Sequence, residues 1–208
     1  YLAAAYLVAM PYFLVFVKDQ GVVDPVGKVA LLVGNHGSMQ AMYLITYVIF
    51  GIVLAVLGLA LYPRLKDGSP ILTQVATAVG LIWAFVLVAS GMIFNAGMAA
   101  VVGLHGTSPA EAGAVWQAIE PVTEGLGGSG GELLGGLWVL LVSVAALRAR
   151  RLPKVLNWLG VAIGAAGVVW ALAPFLDDPR GEGRRARLWS AIGVIAIVYV
   201  VAFTLIVY

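Results

Sequence analysis

The chain has 208 residues, 62% of them hydrophobic and 11% charged, against about 45–50% and roughly 25% in an ordinary soluble domain. Its charges fall in short clusters between long uncharged runs, so lipid rather than water is the expected solvent for most of its surface. A net charge of +2, with no basic stripe interleaved with aromatics, argues against a nucleic-acid surface, and the absence of cysteine removes disulfides, thiolate nucleophiles, zinc–cysteine sites and iron–sulfur ligation.

A helix rises about 1.5 Å per residue and needs about 20 apolar residues to cross a bilayer. Six segments meet or approach that length: 1–17, 38–62, 71–104, 132–147, 155–175 and 188–208. The first is short, as expected where upstream residues are absent. It lacks the charged flank and small-residue cleavage pattern of a signal peptide, and Pro11 predicts a kink within it. The stretch 18–37 reads as a loop. The third segment exceeds an upright span, so it must tilt, bend or project, with Gly80, Gly91 and Gly97 as places for a neighbour to approach. Beyond it, Ser108, Pro109 and Glu111 fit a helix start: a capping hydroxyl, a first-position proline and a reciprocal carboxylate. Ala112, Val115, Trp116 and Ile119 then recur at helical spacing. This predicts a short interfacial amphipathic helix over 109–120, anchored by Trp116 and ended by Pro121. It reads either as a cover for its loop or as a lid over a cavity, with the glycine-rich stretch 125–131 as its hinge. Gly131 and Gly135 on the fourth span, and Gly160, Gly164 and Gly167 on the fifth, present small faces for packing within the bundle or for a partner subunit or second copy.

The predicted fold is all-α, a polytopic transmembrane helix bundle of six spans forming one domain over 1–208. Loops 63–70 and 148–154 are short and hold Arg64, Lys66, Arg148, Arg150, Arg151 and Lys154 against Asp67 alone. The other loops, 18–37, 105–131 and 176–187, also carry Lys18, Lys28, Arg180, Arg184, Arg185 and Arg187, so a raw count of cations ties. Loop length and charge density assign the short basic loops, and with them both termini, to the cytoplasmic side of a bacterial inner membrane.

Several motifs invite chemistry. Gly125, Gly127 and Gly130 match the dinucleotide fingerprint, but no strand–helix unit surrounds them, and 21–28 departs from a P-loop in spacing and lacks its hydroxyl. Gly127, Ser129 and Gly131 form a G-x-S-x-G at the start of the fourth span and so resemble the rhomboid intramembrane proteases. That resemblance implies a histidine base on the sixth span, which 188–208 lacks, leaving His36 or His105 to serve. These two histidines are the chain's full set, one entering the second span and one leaving the third. With Met39, Met42, Met92 and Met98 nearby in sequence, they could hold copper, or together ligate haem. Asn95 is the best candidate for lining a cavity, since an amide within a span is costly unless it faces the bundle interior. Lysine, arginine and acidic residues are missing from mid-span positions, Glu132 standing at an edge, which argues against a proton-coupled or voltage-sensing transporter and against a retinal pigment.

The segment 135–174, GGLWVLLVSVAALRARRLPKVLNWLGVAIGAAGVVWALAP, runs from a fourth span through a basic, proline-containing turn into a glycine-rich fifth. With Arg148, Arg150, Arg151, Pro153, Trp158, Gly160 and Gly164 in those places, the chain resembles an uncharacterised bacterial family of six-span membrane proteins, a domain of unknown function. The resemblance implies a fold and no activity.

The expected function is therefore that of a non-enzymatic binding or accessory membrane protein, with lipid as its constant partner and a hydrophobic-ligand cavity beneath the 105–131 loop. His36, Asn95, His105, Trp116 and Glu132 are the candidate ligand-binding residues. No catalytic residue is assigned and no cofactor is specified. The alternatives are a metal or haem protein using His36 and His105, an uncoupled channel or transporter, and a serine hydrolase at Ser129.

Overall fold

The computed structural model describes residues 2–12, 22, 24–127 and 129–172, and the regular elements among them are all helical. They are α1 (Leu2–Pro11), α2 (Pro25–Gly34), α3 (His36–Leu65), α4 (Pro70–His105), α5 (Pro109–Gly127), α6 (Ser129–Ala149) and α7 (Lys154–Leu172). The expected sixth span, 188–208, and the 176–187 loop lie outside the described residues.

Two helices, α3 and α4, are long and apolar enough to cross a membrane, at 30 and 36 residues. Only 28% of the most apolar stretch of each is buried within the protein, whereas a helix hydrophobic all round in a soluble domain would be buried in its core. Their outward faces carry Ile52, Val56 and Leu59 on α3, and Ile82, Phe85 and Met92 on α4. Helix α4 is about 54 Å long against about 30 Å of hydrocarbon.

Three local features differ from the sequence expectation. The stretch 18–37 contains helix α2, which starts because the Asp24 side chain accepts the Gly27 N–H at 2.7 Å and Pro25 occupies a first-turn position, where the proline's missing N–H would have no intrahelical partner. Pro121 does not end α5, which continues to Gly127. Two hydroxyls bond carbonyls close by: Thr123 Oγ1 donates to Glu120 O at 2.8 Å, and Ser90 Oγ from α4 donates to Thr123 O at 2.8 Å. The stretch 125–131, expected to be a hinge, is helical on both sides of Gly128, which lies outside the described residues. A further feature had no sequence marker. Helix α3 widens into a π turn at Leu44–Ile49, where Thr46 Oγ1 bonds Met42 O at 2.7 Å.

The chain divides into two compact units, one of residues 1–53 and 84–128, the other of 54–83 and 129–208. In the first, α2, α3, α4 and α5 share a core of Val29, Leu32, Met39, Phe94, Met98, Val101, Ala112 and Trp116. The C-terminal turns of α4 thus supply a post for the two shorter helices. Close approach comes from glycine: a Cβ at Gly97 would lie 2.7 Å from Ile119 Cγ2, and one at Gly51 would lie 2.8 Å from Ala84 O.

In the second unit, tryptophans lie on glycines reciprocally. Trp138 of α6 covers Gly80 of α4, and Trp83 of α4 covers Gly135 of α6, the two indoles being 5.8 Å apart. Helices α6 and α7 meet backbone to backbone, with a Cβ at Gly164 falling 2.8 Å from Gly136 O and one at Gly167 falling 3.1 Å from Gly136 Cα. Gly164 and Gly167 are therefore taken up by packing inside the chain.

Candidate functional site

The site with most chemistry lies in the first unit, where α2 and α5 close over α3 and α4. On α2, Val29 and Leu32 point into the core while Lys28 points along its edge. On α5, Ala112 and Trp116 are buried and Glu120 is half-buried on the α2 side. Gly113 lets the two helices cross closely, a Cβ there falling 3.4 Å from Pro25 and Val26. Lys28 Nζ donates to both carboxylate oxygens of Glu120, at 2.8 and 2.7 Å. The two side chains are 34% and 25% exposed, so this pair is better shielded than an ordinary surface ion pair. It locks the pair of helices over what lies beneath.

Beneath lies a column of aromatic rings. Tyr47 stacks on Tyr43 with centroids 5.0 Å apart, Tyr43 stacks on Phe94 at 3.3 Å, and Phe94 meets the edge of Trp116 at 5.2 Å and 88°. The π turn presents Tyr47 at the foot of the column, where the missing side chains of Gly91 and Gly127 leave it room. Trp116, expected as an interfacial anchor, is 2% exposed and fills the space under α5. The spacing of the apolar residues predicted its helical face; the slot formed by Phe94, Met98 and Val29 decides that this face meets protein.

Two further buried polar groups lie on α4. Asn95, next to Phe94, buries its Oδ1 with no hydrogen-bond partner in the protein, and His105 at the end of α4 buries Nδ1 in the same state. Buried polar atoms are nearly always paired, so each is an acceptor or donor held ready at an energetic cost. His36 opens α3 and is half-buried. Among the described residues, no group of three or more side chains suited to a metal ion comes together.

A family model described as Domain of unknown function (DUF4386) matches residues 1–208. The chain belongs to the DUF4386 family. No curated protein and no solved structure matches it. The match spans both units of this DUF4386 chain. Of the predicted site residues, the DUF4386 fold brings Trp116 to the aromatic column, while Asn95 stands on α4 next in sequence to Phe94 and His36 and His105 each stand at the end of their own helix. The side chains of Glu132 and Ser129 lie outside the described residues, although both positions are on α6. Sequence reading missed Lys28, Tyr43, Tyr47 and Phe94. The signal for Lys28 was the Asp-Pro-x-Gly start of α2, which marks the helix that carries it; the aromatic residues read as ordinary span content.

Proposed function

We propose that this chain is a non-enzymatic membrane protein of six spans in a bacterial inner membrane, its termini and short basic loops cytoplasmic, acting as a binding or accessory subunit. The site is the aromatic column under the α2–α5 lid. The observation that carries the reading is the ion-paired closure of two amphipathic helices over three stacked rings, with Trp116 of α5 set edge-on against Phe94 and a partnerless amide oxygen at Asn95 on the same helix as Phe94. Aromatic faces suit a flat or hydrophobic ligand, and a spare amide oxygen suits one that also carries a hydrogen-bond donor. Such a ligand enters when the lid opens and takes over the contacts that Trp116 makes when it is closed.

Native mass spectrometry of the protein extracted gently from its own membrane tests this. The reading expects a small-molecule adduct that weakens in Asn95→Leu and in Phe94→Leu. An empty chain, or an adduct indifferent to both substitutions, contradicts the ligand site. Discrete protein partners on an otherwise empty chain would keep the accessory role and retire the ligand.

A second reading, a metal or haem held by His36 and His105, draws on the partnerless Nδ1 of His105. It expects bound copper or a visible absorption band that disappears when both histidines are replaced by alanine.

A further inference from the structure

The basic end of the second unit contains a cavity of about 390 Å³ lined by Leu61, Pro63, Arg64, Leu65, Arg151 and Leu152. That volume falls within the range of ordinary small-molecule sites, about 300–1,000 Å³. Its lining is divided in character. Leu61 and Leu65 are buried and form an apolar floor, while Arg64 and Arg151 are exposed at the rim. We propose that this cavity holds the headgroup phosphate of an anionic phospholipid between the guanidinium groups of Arg64 and Arg151, with the start of its acyl chains on Leu61, Leu65 and Leu152.

Charge, position and rigidity support the assignment. The two loops at this end carry six cations against Asp67 alone. Asp67 does not neutralise the rim, because its oxygen is 3.7 Å from Arg151 Nη2 and both side chains are more than 60% exposed, a geometry worth little in water. Arg151 therefore keeps donors for a phosphate, which guanidinium binds in a forked geometry. The cavity sits at the C-terminal end of α3, one of the two membrane-length helices, against the turn between α6 and α7. In a chain that spans the membrane, the premise on which this inference rests, that is headgroup depth. A free anion would need the arginines and leave the leucine floor unused, whereas a phospholipid uses both.

The frame is built rather than loose. A Cβ at Gly68 would collide with the Ala149 backbone, and Arg148 Nη1 donates to Ser69 Oγ at 3.3 Å, so the two basic loops are clamped together. Asn157 Nδ2 holds Leu152 O at 3.2 Å. Helix α6 ends with Arg150 N bonded to Leu147 O and Arg151 N to Ala146 O, a paired closure that places Arg150 at φ 54°. Glycine ordinarily occupies that left-handed position. This cap turns the chain at the end of α6 into Arg151 and Leu152, which line the cavity. The ordinary duty of arginines at helix C-termini, offsetting the helix dipole and marking the cytoplasmic face, does not require the cavity.

The test uses the full chain in mixed micelles with equal amounts of dioleoyl phosphatidylglycerol and dioleoyl phosphatidylcholine, and separately with inorganic phosphate, read by native mass spectrometry. Phosphatidylglycerol should be retained at least fivefold over phosphatidylcholine. That preference should be lost in Arg64→Gln/Arg151→Gln, and retention should fall at least fivefold in Leu152→Trp, which fills the cavity while keeping every charge. Lys66→Gln, a cation outside the lining that adds only to the general field of this end, should lower retention by less than about twofold. If the double arginine variant does not fold, Leu152→Trp decides alone. Equal retention of the two lipids, or full retention in Leu152→Trp, overturns the proposal. Retention of inorganic phosphate without lipid preference overturns the lipid as the source. Cysteine labelling of the loops checks the spanning premise separately, so a failed premise and a failed site are distinguishable.

Discussion

The closure of α2 on α5 depends on one pair of charges, and a double-mutant cycle isolates it. Replacing Lys28 with Met leaves Glu120 partly shielded from water and without its cation; replacing Glu120 with Gln does the converse. Fully exposed pairs couple by about 0.2–1 kcal/mol, and breaking a buried pair costs about 3–5 kcal/mol. With exposures of 34% and 25% and contacts of 2.7 and 2.8 Å, the Lys28–Glu120 coupling should fall near the lower middle, at about 1–2 kcal/mol. Each single substitution should cost about 1.5 kcal/mol and the double about the same, because the second change finds nothing left to break. Unfolding in mixed micelles of a harsh and a mild detergent, followed by tryptophan fluorescence, measures all four proteins, with buried Trp116 contributing one of the six tryptophan signals. Additive single effects, with coupling below about 0.3 kcal/mol, would refute the pair as the latch of these helices.

Other substitutions probe the packing by the same unfolding assay. Trp116→Ala empties the space under α5 and should cost about 3–5 kcal/mol. Gly164→Ala drives a methyl into the α6 backbone and should cost about 1–3 kcal/mol, whereas Gly58→Ala, whose added methyl meets open space, should be neutral or stabilise by up to about 1 kcal/mol. Arg150→Gly relieves the left-handed turn and should leave stability unchanged or raise it by about 1 kcal/mol, while Arg150→Val, with its branched side chain, should lower it.

The long helices are legible because their signal is local. The apolar run and its breakers placed the third span at 71–104, and α4 occupies Pro70–His105. The start of α5 follows from Ser108, Pro109 and Glu111 in the same way. Helix α2 was obscured because its ten residues are too few for a span and sit among Asp19, Asp24 and Lys28, so hydropathy averaged them into a loop while the cap motif pointed to a helix. The hydroxyl that ties α5 to α4 just past Pro121 comes from Ser90, 33 residues from Thr123. No local pattern carries that. The same holds for the site: Asn95 and Trp116 stand out by residue type, but the Lys28–Glu120 pair joins positions 92 apart, and the π turn at Leu44–Ile49 contains no proline or glycine to announce it. Glycines signalled close approach, yet only the fold says that Gly164 meets Gly136 and that Gly80 meets Trp138.

The absence of native cysteine makes the chain its own background for site-directed labelling. Single cysteines at Asp67, in the turn between α3 and α4, and at Thr107, just beyond α4, bracket the 36-residue helix Pro70–His105. With a membrane-impermeant maleimide applied to intact cells and to inverted vesicles, the account predicts that Thr107→Cys reacts from the outside and Asp67→Cys only from the cytoplasmic face. Labelling of both from the same side would mean that α4 does not cross the membrane, and would contradict the six-span account.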